Sequence, residues 1–207
     1  MSGVIIGEGS DWDNVSVTYE DPLIWLLEDR DPMWVATVPI SNGKFSVELI
    51  TPEAKYLQPV TDGMPAQIKV SDKNAKLAPA SFCATKVEEM NGGTMEALST
   101  ITLAKIEKTS ITVVQYMYAD RSVNISGTVS DLFGNLEYNL KLKKGWNTAI
   151  LSMKASIDDE ITMTCKTGKV PSDAVWMTGL YAGGFGINIT SAQIEALLEK
   201  GVDISRK

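Results

Sequence analysis

Hydrophobic and polar residues alternate with a period close to two along most of this chain. Val123, Ile125 and Val129, for example, are separated by polar neighbours. The same alternation recurs at Phe45, Val47 and Leu49, at Ile111 and Val113, at Leu136, Tyr138, Leu140 and Leu142, and at Ile161, Met163 and Cys165. Because successive side chains of a strand point to opposite faces, each set predicts one buried and one solvated face. The pattern predicts an all-β protein built as an antiparallel β-sandwich of one or two modules.

Asparagine, glycine and charged residues mark the expected chain reversals. Asn42-Gly43, between Ser41 and Lys44, is typical of a two-residue hairpin turn because both positions favour positive φ. Lys143-Lys144-Gly145 predicts a second reversal, and residues 131–135 are expected to close the hairpin before it. Together these turns predict a β meander from about Ile101 to Trp176.

One segment near the end of the chain has helical spacing instead. Thr190 and Gln193 fit a capping box, and Ile194, Leu197 and Leu198 share one helical face. We therefore expect a short C-terminal helix at about 191–200. It either docks on the β body or leads to a further region.

Asn91-Gly92-Gly93 is the strongest candidate for an internal linker. It predicts a first β module over residues 1–92 and a second sandwich over 93–190, followed by a helix and tail over 191–207. A single continuous sandwich is the alternative.

The amino-acid composition argues against several classes of function. None of the 207 residues is histidine, so Ser-His-Asp and Cys-His catalysis and His-ligated zinc are excluded. The net charge of −7, from 26 acidic and 19 basic residues, argues against binding to nucleic acid or to an anionic membrane surface. We expect no cofactor.

The two cysteines and the absence of long apolar runs bear on the compartment. Cys83 and Cys165 are interpreted as two buried thiols, with a single disulfide as the alternative. No segment has the length of a membrane helix, and the first residues do not resemble a signal peptide. A mature exported domain whose leader has been removed would have the same features.

Three acidic segments could carry chemistry. Asp11-Trp12-Asp13-Asn14 begins like a calcium loop, but the sixth and twelfth positions hold Ser16 and Pro22 instead of glycine and glutamate. A looser calcium site is the alternative to a solvated turn. Residues 28–31 and 158–160 could supply paired carboxylates for hydrolysis, although a charged turn is the ordinary explanation for each.

Five tryptophans, at positions 12, 25, 34, 146 and 176, could bind sugar rings by stacking if exposed. Trp12 and Trp25 lie beside acids in expected loops and are the candidate ligand-binding residues. Trp146 and Trp176 lie at the ends of strand-like segments, where core or edge packing is expected. Trp25 also belongs to the apolar run 23–27, which is either a buried strand or an exposed partner surface.

Two parts of the sequence resemble known families. Residues 3–9, 15–19, 35–38 and the segment Ser41-Asn-Gly-Lys-Phe-Ser-Val-Glu-Leu49 resemble a transthyretin-like, or carboxypeptidase-regulatory, module. Residues 116–127, with Leu140-Lys-Leu-Lys-Lys-Gly-Trp-Asn147, are similar to segments of uncharacterised β-rich cell-envelope lipoproteins of gut bacteria. The resemblance implies an exported, lipid-anchored β protein and brings no catalytic residue. It also implies that the N-terminal cysteine used for lipid attachment was removed with the leader.

These observations predict a non-catalytic β-sandwich module at the periplasm or cell surface of a bacterium, binding a glycan or a protein partner. The membrane would be reached only through the removed lipid anchor. The alternatives are a carboxylate-dependent hydrolase and a structural subunit of a surface assembly. A glycan binder should present two coplanar aromatic rings on an open face, and a hydrolase two carboxylates about 5–10 Å apart. A structural subunit should present an apolar patch or an unpaired sheet edge.

Overall fold

The computed structural model describes residues 2–6, 12–20, 33–90, 93–131, 134–155 and 161–178. These residues form an all-β protein, which confirms the predicted class. The expected helix at about 191–200 lies outside the described residues. The described part of the chain contains no helix long and apolar enough to cross a membrane.

The described residues form fourteen strands and one short 3₁₀ turn, Ala54–Tyr56. The strands are β1 (Ser2–Ile6), β2 (Asn14–Thr18), β3 (Ala36–Pro39), β4 (Lys44–Ser46), β5 (Gln58–Pro59), β6 (Lys69–Val70), β7 (Lys76–Met90), β8 (Gly93–Glu107), β9 (Ser110–Ala119), β10 (Val123–Asp131), β11 (Gly134–Leu142), β12 (Gly145–Ala155), β13 (Ile161–Thr167) and β14 (Val175–Thr178).

All fourteen strands belong to one sheet that does not close on itself. Its main path runs β4-β1-β14-β8-β7-β9-β12-β13-β11-β10-β6, and β2 and β5 pair with β7 beside this path while β3 pairs with β2. The sheet is mostly antiparallel, with parallel pairs at β1–β14 and β11–β13. Strands from before and after residue 92 therefore share one sheet, while the division into two domains stays a prediction.

Alternation in the sequence correctly predicts which face of a strand is buried. In β10, Val123 and Ile125 are buried whereas Asn124 and Ser126 are exposed. Val129, farther along the same strand, is only half-buried. Buried and solvated positions in β10 thus follow the period-two rule more closely near the start of the strand than near its end.

The turn at Asn42-Gly43 forms as predicted. Both residues have positive φ, 53° and 68°, and Ser41 and Lys44 exchange backbone hydrogen bonds of 2.8 and 3.0 Å. The strands on either side nevertheless separate at once, because β3 pairs with β2 and β4 pairs with β1. The reversal is local, and the strands that it connects take different partners.

The predicted meander from Ile101 to Trp176 is wrong in one respect. The hairpins β8–β9 and β10–β11 form, and the second is closed at residues 131–134 as expected. However, β13 lies between β11 and β12 and pairs with both. The turn before Gly145 therefore connects two strands that are not neighbours. Turn residues show where the chain reverses but do not determine which strand edge becomes the partner.

Three core clusters pack against the central strands on both faces. The first cluster includes Val15, Val17, Phe45, Phe82, Ile101, Leu103, Val114 and Trp176. The second includes Leu77, Met117, Ile125, Tyr138, Leu140 and Leu142, and the third includes Ala104, Ile111, Val113, Leu151, Met153 and Met163. β9 contributes side chains to all three, so it is buried on both faces. The sheet curls around the second cluster: β5 pairs with β7, and the next strand, β6, pairs with β10, so that Leu77, Ile125 and Leu140 share one core.

Candidate functional site

The two tryptophans predicted to bind a ligand are not brought together in the described structure. Trp12 is half-buried and packs against the first cluster, and its indole N–H is buried with no hydrogen-bond partner among the described residues. Such a group costs about 1–3 kcal/mol. Trp25, with the apolar run 23–27, lies outside the described residues. The role of both residues as ligand contacts stays a prediction.

The other described aromatic rings pack mainly inside the protein. Trp176 is 2% exposed, which confirms its expected place in the core, and it contacts Phe82. Trp146 is partly buried, and both its indole N–H and the hydroxyl of Tyr19 donate to the carbonyl of Ile50. Burial raises the pKa of Tyr19 to about 12 in spite of this hydrogen bond. In the described pairs the ring planes cross at 50° to 88°, so these rings do not form a coplanar platform.

Asp13, the described acid of the calcium-like segment, makes hydrogen bonds to the backbone. Its Oδ2 accepts a hydrogen bond of 2.9 Å from the N–H of Val87, and its own N–H donates to the carbonyl of Thr85. No group of three or more cysteine or acidic side chains is placed to hold a metal ion in the described ranges. Asp11, and the acidic segments 28–31 and 158–160, lie outside those ranges.

Glu107, Asp173 and Asp120, the described carboxyl groups with lowered pKa values, belong to two groups of surface ion pairs. Lys105 Nζ lies 2.6 Å from Glu107 Oε1 and 2.9 Å from Asp173 Oδ2. The hydrogen bonds from Lys105 lower the pKa of both carboxyl groups. The pKa of Asp120 is also lowered, since burial, which acts upward, is outweighed by the N–H of Lys76 and the guanidinium of Arg121. A general acid needs the opposite shift.

The cysteines are two free thiols, as the sequence predicted. Cys83 is buried, and Cys165 packs beside the second and third clusters. Burial raises the pKa of each thiol to about 12. Because the thiolate is the reactive form, neither cysteine is poised to act as a nucleophile near neutral pH.

A two-stranded ribbon at one end of β7 and β8 is the surface that sequence analysis missed. We define the ribbon as residues 86–90 of β7 and 93–98 of β8. β2 pairs with β7 only up to Thr85, and β14 pairs with β8 only from Ile101 onward. Among the described residues, no strand pairs with the outer sides of the ribbon beyond these two points.

Two large aliphatic side chains are exposed at the base of the ribbon. Val87 is 52% exposed and Leu98 45%. Leu98 lies opposite Thr85 and Val87 lies opposite Glu96, so the two side chains occupy the same face as diagonal neighbours. Diagonal pairs of this kind are about 7–8 Å apart, within the reach of one partner side chain.

A signal for the ribbon was present in the sequence. Met90 pairs with Gly93, which leaves Asn91-Gly92 as a two-residue connection between β7 and β8. Asn-Gly between two alternating segments is the strongest local indication of a hairpin. The sequence analysis took Asn91-Gly92-Gly93 as a candidate linker and did not predict this hairpin.

Comparison with known proteins gives no match: no family model, no curated protein and no solved structure is similar to this chain.

Proposed function

We propose that this protein is a non-catalytic module that binds a protein partner through the β7–β8 ribbon. The observation that carries the proposal is the combination of exposed Val87 and Leu98 with strand edges that lack a partner strand among the described residues. Open edges accept an added strand through backbone hydrogen bonds, and neighbouring side chains then provide specificity.

The free energies available for association favour strand addition over a contact made by the apolar side chains alone. Fully burying a valine or leucine side chain contributes about 1.5–3 kcal/mol, and Val87 and Leu98 are already half-buried. Association costs at least about 4 kcal/mol in lost translational and rotational freedom. The two side chains alone therefore do not hold a partner. Several added backbone hydrogen bonds, each worth about 0.5–1.5 kcal/mol, make up the difference.

The described carboxylates and aromatic rings support a protein partner over the other hypotheses. Glu107 and Asp173 share one lysine, and their lowered pKa values suit ion pairing. The aromatic rings pack edge to face or tilted, mainly in the core, instead of forming a stacking surface. A structural subunit of a surface assembly is the second candidate, because an unpaired edge serves a copy of the same chain equally well.

The cell-envelope location, the removed lipid anchor and the sandwich architecture form part of the same proposal. The first two depend on the resemblance of residues 116–127 and 140–147 to envelope lipoproteins. Burial of both faces of β9 supports a layered, sandwich-like arrangement of the curled sheet. Fractionation of the native cells tests the location, and recovery of the protein in the soluble cytosolic fraction would contradict it.

Site-specific photo-crosslinking in the native cells tests the ribbon. A photoreactive residue replaces Val87 or Leu98, and Val170, which is 38% exposed between β13 and β14, serves as the control position. We expect one discrete protein adduct from positions 87 and 98 and none from position 170. Absence of adducts at both ribbon positions, or equal labelling at position 170, would refute the proposal.

An adduct of twice the mass of the chain would identify the partner as a second copy and favour the structural-subunit candidate. An adduct with a different protein would favour the binding module. Asp13→Ala provides an independent check, because loss of the carboxylate that accepts from Val87 frees one more edge N–H. The crosslinking yield at position 98 should then change, whereas the yield at position 170 should not.

A further inference from the structure

Three strands separate from one another at a single point in the sheet. The first part of β7, up to Ala80, pairs with β9, and the rest of β7, from Phe82 onward, pairs with β8. The last part of β8, from Leu103 onward, pairs with β9. The pairs that border the point are Ala80–Tyr116, Phe82–Ile101 and Leu103–Val114. One residue of each strand lies between these pairs, namely Ser81, Thr102 and Gln115, and each of them pairs across its other edge, with Thr18, Met177 and Ala149 respectively. We call this three-sided gap the fork.

All three central residues of the fork are polar and lie on one face of the sheet. The side chains at positions 82, 101 and 114 belong to the first cluster on the opposite face. Because side chains alternate along a strand, Ser81, Thr102 and Gln115 point away from that cluster. The fork is therefore apolar on one face and polar on the other.

A cavity of about 20 Å³ occupies the fork. Its lining includes the three polar residues of the fork and apolar side chains such as Phe82 and Trp176. Trp176, packed against Phe82, closes the apolar face. Ser81 and Thr102 are each 8% exposed, and Gln115 is half-buried. The polar face is therefore the way in from solvent.

The size and lining of this cavity match one water molecule. A cavity holds a water when its accessible volume reaches about 10–15 Å³ and two to four polar partners are within reach. A serine or threonine hydroxyl offers one donor and two acceptor sites, and a glutamine amide offers both kinds of group. These side chains can therefore bind water in addition to their other contacts. An entirely apolar cavity would remain dry.

We propose that the fork is a hydration site that binds one ordered water molecule through Ser81, Thr102 and Gln115. The water connects side chains of three strands at the point where the strands change partners, and a water-mediated contact of this kind links polar groups that do not touch directly. The site is independent of the ribbon and of the proposed function.

A high-resolution crystal structure of the full chain, determined with and without pressurised xenon, tests the site. We expect a single ordered water within hydrogen-bonding distance of at least two of the three side chains, and no xenon in the fork. Xenon density in the fork would overturn the proposal, because xenon enters dry apolar cavities. A protein side chain filling the space would overturn it as well.

Variants with a matched control give a second test in solution. Thr102→Val keeps the shape of the side chain but removes the hydroxyl, and Gln115→Leu changes a half-exposed position that should tolerate it. Thr112→Val is the control, since Thr112 lies on β9 and contacts Ser152 away from the cavity. We expect water–protein NOEs at the fork to be lost in both fork variants and retained in the control. Retention in both fork variants would refute the site.

Discussion

Gly127 provides the sharpest test of how the curled sheet is held together. It lies in β10 with φ 141°, a backbone conformation that residues with a Cβ rarely adopt. A Cβ built at this position would lie 2.8 Å from the carbonyl oxygen of Gln67 and 3.3 Å from the Cα of Ile68. Both contacts involve backbone, so rotation of a side chain does not relieve them.

The backbone that meets this Cβ is fixed on both sides. Ile68 donates its N–H to Pro65, and the following strand β6 pairs with Ile125 and Ser126 of β10. Strained φ costs about 1–3 kcal/mol, and overpacking costs about 1–3 kcal/mol more. We therefore expect Gly127→Ala to reduce the free energy of unfolding by about 2–6 kcal/mol, out of a usual total of about 5–15 kcal/mol.

Gly145→Ala is the matched control. Gly145 also has positive φ, 99°, but a Cβ there would meet nothing within 4 Å. The free energy of unfolding, measured by urea unfolding followed by circular dichroism, should be lower for Gly127→Ala than for Gly145→Ala. The difference should equal the cost of the close contacts alone, about 1–3 kcal/mol. For a chain of this size, that difference corresponds to about 2–12 °C in Tm. Equal stability of the two variants would refute the close approach of residues 67–68 to β10.

The other predictions concern the thiols and the core. Cys83, which is buried, and Cys165, which is partly buried, should react slowly with a maleimide at pH 8 in the folded protein, because the pKa of each thiol is raised to about 12, and should react fully in denaturant; rapid stoichiometric labelling of the folded chain would contradict the raised pKa values. Because the pKa of each folded thiol is raised to about 12, their stabilising effect is complete below the ordinary thiol pKa of 9.0 and is lost as the pH rises toward 12. The free energy of unfolding should therefore fall by up to about 1.4 kcal/mol per thiol between pH 9 and 10 under reducing conditions, and the decline should be shallower when both cysteines are alanine. Ile125→Ala, at a fully buried position, should cost about 2–5 kcal/mol in urea unfolding, whereas Leu98→Ala on the ribbon should cost less than about 0.5 kcal/mol; similar losses for both would show that the ribbon is buried.

Local features of the sequence account for much of the fold. Alternation correctly assigned Val123 and Ile125 to the buried face, and Asn42-Gly43 correctly located a reversal with positive φ. These features depend on side-chain period and on the backbone preferences of single residues, which are the same in any tertiary context. They also predicted the all-β class and the burial of Cys83, whereas Cys165 is only partly buried.

The tertiary structure alone decided which strands pair. β13 inserts between β11 and β12, and β1 joins β14 from the opposite end of the sequence. Any alternating strand can hydrogen-bond to either neighbour, so its partner is selected by how the buried faces pack together over long sequence separations. For the same reason the fork, which exists only where long strands change partners, has no signature in the period of the sequence, and the ribbon is indicated only by its Asn91-Gly92 turn. The sequence by itself determined which faces of the strands are buried, and long-range packing determined which edges they share.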